Sequence, residues 1–168
     1  MLGGLIFDLD QTLVDTSALN NYRSNRDWSA CYKSMDQTNL FDNTKEILGF
    51  ASNKGLKIGV VTMSPRPYAL KLLEHHQIPF DNLVAFHDCK RRKPNPEPII
   101  KCLKSLGLNP VNVLSIGDDR MDITASRNAN ISSVGVTWGN CSVRELTEAG
   151  ADFIVHSNAE LMKIIESY

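Results

Sequence analysis

Six short apolar runs punctuate the chain: Leu5-Ile6-Phe7, Lys57-Ile58-Gly59-Val60-Val61, Leu83-Val84-Ala85-Phe86, Val113-Leu114-Ser115-Ile116, Ser133-Val134-Gly135-Val136 and Phe153-Ile154-Val155. Between them lie helix-length segments whose apolar residues fall three and four apart, such as Ile47, Leu48 and Ala51, or Ile99, Ile100, Leu103 and Leu106. Parallel strands need a crossover of a dozen or more residues, usually helical, so this alternation predicts a mainly parallel sheet with helices on both faces. The expected fold class is therefore α/β, three-layered and doubly wound. The stretch from Ser17 to Phe41 breaks the alternation, with Tyr22, Arg23, Arg26, Trp28, Tyr32 and Lys33 but few aliphatics. It reads as a small helical insert, residues 17–41, after strand one, within a single unit spanning 1–168. The final stretch from Ala151 to Tyr168 reads as a strand and helix that complete the sheet.

A length of 168 residues with 42% hydrophobic and 22% charged side chains suits one globular unit and excludes disordered and fibrous classes. Cys31, Cys89, Cys102 and Cys141 are widely separated and form no CxxC, so free thiols are expected. An aspartate already at position 8 interrupts any secretory apolar region, and no run approaches a membrane span. A soluble, cytoplasmic protein is the expectation. The net charge of -1 leaves no overall field, and Lys90-Arg91-Arg92-Lys93 reads as a solvated basic loop; nucleic acid is not an expected partner.

Sheets of this kind place ligands outside the carboxyl ends of their strands. The polar residues that follow each run are therefore the candidates: Asp8 and Asp10, then Thr62 and Ser64, then His87 and Asp88, then Gly117, Asp118 and Asp119. On a straight strand, Asp8 and Asp10 point the same way and can seat a divalent cation. Magnesium favours carboxylate oxygen and water, and commonly bridges one or two carboxylates to a phosphate. Asp118 is placed to complete that set, although Asp118 or Asp119 can equally cap the following helix, with Asp122 in its first turn. Thr62 and the backbone N–H groups after it, with Lys93, are candidate donors to phosphate oxygens.

These segments, in this order, resemble the haloacid dehalogenase-like hydrolase superfamily. Phe7-Asp8-Leu9-Asp10-Gln11-Thr12 looks like its first motif, Val60-Val61-Thr62 its second, Lys93-Pro94 with Pro96 its third, and Gly117-Asp118-Asp119 through Asp122 its fourth. The resemblance implies a Rossmann-like fold and a magnesium-dependent phosphomonoester hydrolase. Asp8 would be the nucleophile that forms an aspartyl-phosphate, and Asp10 the general acid and base. Mg2+ would be held by Asp8, the backbone carbonyl of Asp10, and Asp118. Thr62, the Met63 amide and Lys93 would stabilise the phosphoryl oxygens. Asp119 and Asp122 would lie just behind, Asp122 orienting Lys93. Dehalogenase members lack the second aspartate of the first motif, so Asp10 points to phosphate chemistry.

The chain departs from the pattern twice. Met63-Ser64 stands where the family usually places Asn after its second-motif hydroxyl residue, which suggests that Arg66 supplies part of the missing polar contact. Only 53 residues separate Asp8 from Thr62, and 30 separate Thr62 from Lys93, so any lid is small and the site open. An open site favours hydrolysis over a phosphomutase, which must exclude water. The expected partner is a phosphorylated substrate, either a small molecule or an exposed phosphate on a macromolecule. Aromatic residues of the insert are expected either to pack among themselves or to touch the leaving group. The rival readings are a phosphomutase, and a catalytically weakened module that binds phosphate in a regulatory role.

Overall fold

The computed structural model describes residues 1–168. In chain order, β1 is Gly4–Phe7, β2 Val14–Asp15, α1 Asn20–Ser24, α2 Trp28–Lys33, β3 Asn39–Leu40, α3 Thr44–Asn53, β4 Lys57–Val61 and α4 Arg66–His75. There follow β5 Asn82–Val84, α5 Glu97–Leu106, β6 Val113–Gly117, α6 Arg120–Asn128, β7 Ser132–Val136, α7 Val143–Ala149, β8 Phe153–Val155 and α8 Asn158–Ser167. The six longer-range strands form one parallel sheet in the order β5-β4-β1-β6-β7-β8. All six apolar runs are strands of this sheet, which is the α/β architecture that the alternation predicts. The third run is shorter than expected: the strand stops at Val84, and Phe86 opens a 3-10 turn through Asp88.

Successive side chains on a strand point to opposite faces, and the core divides accordingly. Leu5, Phe7, Ile58, Val60, Leu114 and Ile116 face α3, α4 and α8 in one cluster, where Ile47, Tyr68, Leu72 and Leu161 are buried. Ile6, Val61 and Val113 face the other way, against Ile99, Cys102 and Leu103 of α5 and Ala125 of α6. Fully burying a side chain of this size contributes roughly 1.5–3 kcal/mol, so the central strand β1 is clamped from both faces. Its neighbours diverge: the chain runs outward from β1 through β4 to β5, then returns to the other side at β6. A crevice at the carboxyl end of β1 is the outcome of that reversal.

The insert is closed at its base by a feature absent from the sequence reading. The two-residue strands β2 and β3 pair antiparallel, Val14 with Leu40 and Asp15 with Asn39. Between them stand α1, α2 and two 3-10 turns. The insert has no core of its own. Leu19, Cys31 and Met35 are buried in the larger cluster of the main body, and Tyr22, Trp28 and Tyr32 pack against it. Trp28 lies tilted on Tyr68 of α4 with ring centroids 5.6 Å apart. All four cysteines are unpaired, and no helix is long and apolar enough to cross a membrane.

Candidate active site

The ladder between β1 and β6 continues one residue past β1, because Asp8 N donates to Ile116 O at 2.9 Å. That bond fixes Asp8 at the mouth of the crevice. Its Oδ1 accepts from Lys93 Nζ at 2.8 Å. Lys93 comes from the loop before α5, and its Nζ also donates to Val61 O at 3.0 Å and to Asp122 Oδ1. All three ammonium hydrogens are thus engaged. Asp122 is held in turn by the first turn of α6: Asp119 N donates to Asp122 Oδ2 at 3.0 Å, while the Asp119 carboxylate caps the helix by accepting from Met121 N at 2.8 Å. Gly117 makes room for this arrangement, since a Cβ there would lie 2.4 Å from Asp122 Cβ.

Asp118, at the end of β6, is almost wholly buried. Its Oδ1 accepts from Thr12 Oγ1 at 2.8 Å, and its Oδ2 from Asn140 N and Nδ2, both at 2.8 Å. Gly139 is the residue that lets the loop after β7 close on it, because a Cβ there would come within 2.3 Å of Oδ2. One oxygen from each of Asp8, Asp118 and Asp122 lies within 4.8 Å of the other two. Three carboxylates against one ammonium leave this cluster two negative charges in excess. Burial, reinforced by Asp122, pushes the Asp118 carboxyl up to about 6. Burial also raises Asp8, against the pull of Lys93. Lys93 itself is disfavoured by burial, but Asp122 and Asp8 outweigh that and hold it protonated. An all-oxygen donor set with a surplus of two charges fits a hard dication such as Mg2+.

Asp10 is placed differently from the expectation of a straight strand. The strand ends at Phe7, and the chain turns through Gln11 at φ 65°. The Asp10 carboxylate therefore leaves the cation cluster and faces α4 and the insert. Tyr68 O–H donates to its Oδ1 at 2.8 Å, Ser64 O–H to its Oδ2 at 2.7 Å, and Arg23 Nη2 lies 3.2 Å from Oδ2. Burial and the adjoining Asp10 charge raise the Tyr68 hydroxyl, which stays a donor. The carboxylates close enough to share an ion are those of Asp8, Asp118 and Asp122, whereas the Asp10 side chain is engaged by Tyr68, Ser64 and Arg23.

Thr62 follows β4 with its Oγ1 accepting from Ser64 N at 3.0 Å, which leaves the hydroxyl hydrogen available to a ligand. Met63 N donates to no backbone carbonyl. Arg66 does not stand in for the missing amide beside Met63. Its guanidinium turns away to Leu83 O and the carboxylate of Asp88, so that pair serves the β5 edge. Asp8, Asp10, Thr62, Met63, Lys93, Asp118, Asp119 and Asp122 all line one cleft of about 200 Å³. The sequence names Ser64 as a rim candidate and Thr12 within the first motif without a partner for either, passes over Asn140 and Tyr68, and does not join Arg23 to Asp10. Asn140 had a signal: it follows the fifth apolar run, and the rule applied to the first four runs extends to it. Tyr68 had none, as one aromatic among the apolar positions of a helix.

The model of a family described as haloacid dehalogenase-like hydrolase matches residues 20–136. That span begins after Asp8 and Asp10 and contains Thr62, Lys93, Asp118 and Asp122. A protein named "Putative pyrophosphatase PpaX" from Caldanaerobacter subterraneus subsp. tengcongensis is 33% identical over 144 residues, which is 84% of this chain and 64% of that protein. A phosphoglycolate phosphatase of Salmonella typhi is 38% identical over 104 residues, 61% of this chain and 41% of that enzyme. The chain thus spans between two fifths and two thirds of the length of these relatives. The crystal structure of a predicted phosphatase from Clostridium acetobutylicum superposes with a TM-score of 0.83 at 25% identity, covering 100% of both chains.

Proposed function

The chain belongs to the haloacid dehalogenase-like hydrolases, and on that footing we propose that it is a magnesium-dependent phosphatase that hydrolyses phosphomonoesters through Asp8. The observation that carries this reading is the single cleft in which Asp8, Lys93, Asp118 and Asp122 meet with Asp10 beside them. Asp8, Asp118 and the Asp10 carbonyl would hold Mg2+, with Asp122 close by; bound there, the cation neutralises the charge that keeps an anionic nucleophile from an anionic phosphate.

Lys93 holds Asp8 Oδ1, so Oδ2 is the oxygen left to attack phosphorus. As the new P–O bond forms, the ester P–O bond breaks and its electron pair stays on the leaving oxygen. Asp10, which must enter this step protonated, gives that oxygen its proton. In the second half, Asp10 takes a proton from water, the water oxygen attacks the aspartyl-phosphate, and phosphate leaves with Asp8 restored. The Thr62 hydroxyl, the Met63 N–H and Lys93 stabilise the phosphoryl oxygens throughout. The short insert supports hydrolysis rather than transfer to a second substrate, because it leaves water a route to the intermediate. Substrates of phosphoglycolate phosphatases and pyrophosphatases are small, and a small phosphorylated molecule is the class we assign.

The purified protein is expected to hydrolyse p-nitrophenyl phosphate with Mg2+ and to stop on addition of EDTA. In Asp10→Asn, an alkyl phosphate, whose leaving oxygen needs the proton, should lose at least tenfold more activity than the aryl ester, the general acid effect being roughly 10²–10⁴-fold. Metal-independent turnover, or equal losses on the two esters, overturns the assignment.

A further inference from the structure

The cleft opens sideways into a second cavity of about 370 Å³, and Arg23, Met63 and Ser64 line both. Arg26, Trp28 and His87 also line it, and none of its lining residues is acidic. Arg23 occupies the junction. Its Nη2 contacts Asp10 Oδ2 at 3.2 Å and Ser64 Oγ at 3.3 Å, and its Nη1 donates to Thr16 Oγ1 at 3.2 Å. The remaining donor, Nε–H, is buried and has no acceptor. A guanidinium carries five donors and accepts nothing, and leaving one of its N–H groups buried without a partner is unfavourable. Arg23 is thus only partly satisfied where it stands, with Asp10 as its one anionic partner.

Asp10 shows the complementary gap. Tyr68 covers one of its oxygens, while Ser64 and Arg23 cover the other. Three donors thus occupy three of the carboxylate's about four acceptor positions, and Oδ2 opens to a leaving oxygen when Arg23 withdraws. Tyr68 and Ser64 are packed into the body of the protein. Arg23 is 24% exposed and stands on the five-residue α1 of the insert, which makes it the donor that a ligand can draw off.

We propose that Arg23 determines which leaving group the cleft accepts. In the free protein it rests on Asp10; with substrate present it exchanges that carboxylate for an anionic group on the leaving portion, uncovers Asp10 Oδ2, and gives the acid-free cavity its counter-charge. The preferred substrates are thus phosphomonoesters that carry a second negative group, a carboxylate or a further phosphate, a few bonds from the ester oxygen. This inference rests on the phosphatase reading above. Arg26 supplies a second cation to the lining of the same cavity.

The test uses a matched pair, 3-carboxypropyl phosphate and butyl phosphate, with Mg2+. The wild type is expected to favour the carboxylate ester about 10- to 100-fold in kcat/KM, the weight of a hydrogen bond to a charged group. Arg23→Met should bring the two esters within about threefold, chiefly by raising KM for the carboxylate ester, and Arg23→Lys should keep part of the preference. No preference in the wild type, or equal losses on both esters in the Met variant, overturns the proposal. If Arg23→Met fails to fold, the Lys variant decides: a retained preference supports the assignment and an equal loss on both esters defeats it. Absence of any Mg2+-dependent hydrolysis of p-nitrophenyl phosphate by the wild type removes the phosphatase reading and this inference together, which distinguishes that failure from one confined to Arg23.

Discussion

Two cations reach the same cleft from regions built on different terms. Lys93 is 4% exposed and sits between the carboxyl ends of β4, β1 and β6, with every hydrogen on an oxygen of the sheet rim or of α6. Arg23 is 24% exposed, stands on a short helix of the insert, and keeps one buried N–H without an acceptor. On the proposed function, the first is held where the invariant part of a substrate, the phosphoryl group, would lie. The second is held loosely where the role proposed for Arg23 puts the variable part. Rigid placement suits electrostatic stabilisation of a fixed reacting centre, whereas recognition of a leaving group tolerates a side chain that changes partners.

The contrast breaks first on the chemistry of the rim. Asp8→Asn should lower kcat by about 10⁴-fold or more, as expected for a nucleophile that no neighbour replaces. Lys93 keeps Asp122 in that variant, and the thermal unfolding midpoint should not fall. Substantial turnover in Asp8→Asn would move the nucleophile elsewhere and dissolve the rim as a functional unit.

Stability sharpens the same comparison. Lys93→Met strips the partner from two buried carboxylates, Asp8 and Asp122, and should destabilise the fold by about 3–5 kcal/mol in urea unfolding. Arg23→Met leaves Asp10 its bonds from Tyr68 and Ser64, and should cost about 1 kcal/mol or less. Comparable losses in the two variants would mean that the insert is as firmly built as the rim.

A third expectation concerns the excess charge at Asp118. Burial and Asp122 raise its carboxyl from an ordinary 3.8 to about 6. Between those values the folded protein binds the proton and the unfolded chain does not. This contribution to stability is therefore full below pH 3.8 and lost as pH rises through about 6, a difference of about 3 kcal/mol. In EDTA, the unfolding midpoint should climb as pH drops from 7 to 5. Mg2+ at pH 7 should raise the midpoint, and Asp118→Asn should flatten the trend. If wild type and Asp118→Asn give the same pH curve in EDTA, the cluster carries no surplus charge.

The difference between the two regions also explains what the sequence disclosed. The strands are legible because parallel strands, buried on both faces, must be continuous apolar runs, and Asp8, Thr62 and Asp118 are legible because they follow those runs. The cleft of the topological reversal then brings them together without further instruction. The surroundings of Asp10 are a different matter. Arg23, Ser64 and Tyr68 come from the insert, the loop after β4 and α4, and they meet Asp10 only in the folded chain. A period-two reading of Asp8 and Asp10 assumes a strand that runs through both, whereas β1 ends at Phe7. Arg66 escapes the sequence for a related reason: it opens α4 where a helix start can face either the cleft or the β5 edge, and Asp88, in the 3-10 turn after β5, takes it to the edge.

The smallest expected effect lies where the insert rejoins the body. Thr38 Oγ1 donates to Met35 O at 2.6 Å, so its hydrogen is committed and its lone pair faces His76 Nε2 at 2.7 Å. That contact is a hydrogen bond only if Nε2 carries the hydrogen, which fixes the neutral tautomer. Burial, with His75 and Lys45 adding repulsion, holds the His76 imidazole below its ordinary 6.5. Below that pH the unfolded chain takes up the proton before the folded one does, so stability conferred here is present above 6.5 and declines as the pH falls towards the depressed value. The imidazole is half-exposed, and the loss should be modest and local. Amide hydrogen exchange at Thr38 to Leu40 should accelerate between pH 7 and 5.5, after correction for intrinsic rates, while exchange in β1 and β6 stays constant. His76→Gln keeps a donor for Thr38 without a titrating ring and should remove the acceleration. Uniform acceleration of the insert and the sheet would show that the two regions open as one, and the contrast between a fixed Lys93 and a movable Arg23 would lose its structural basis.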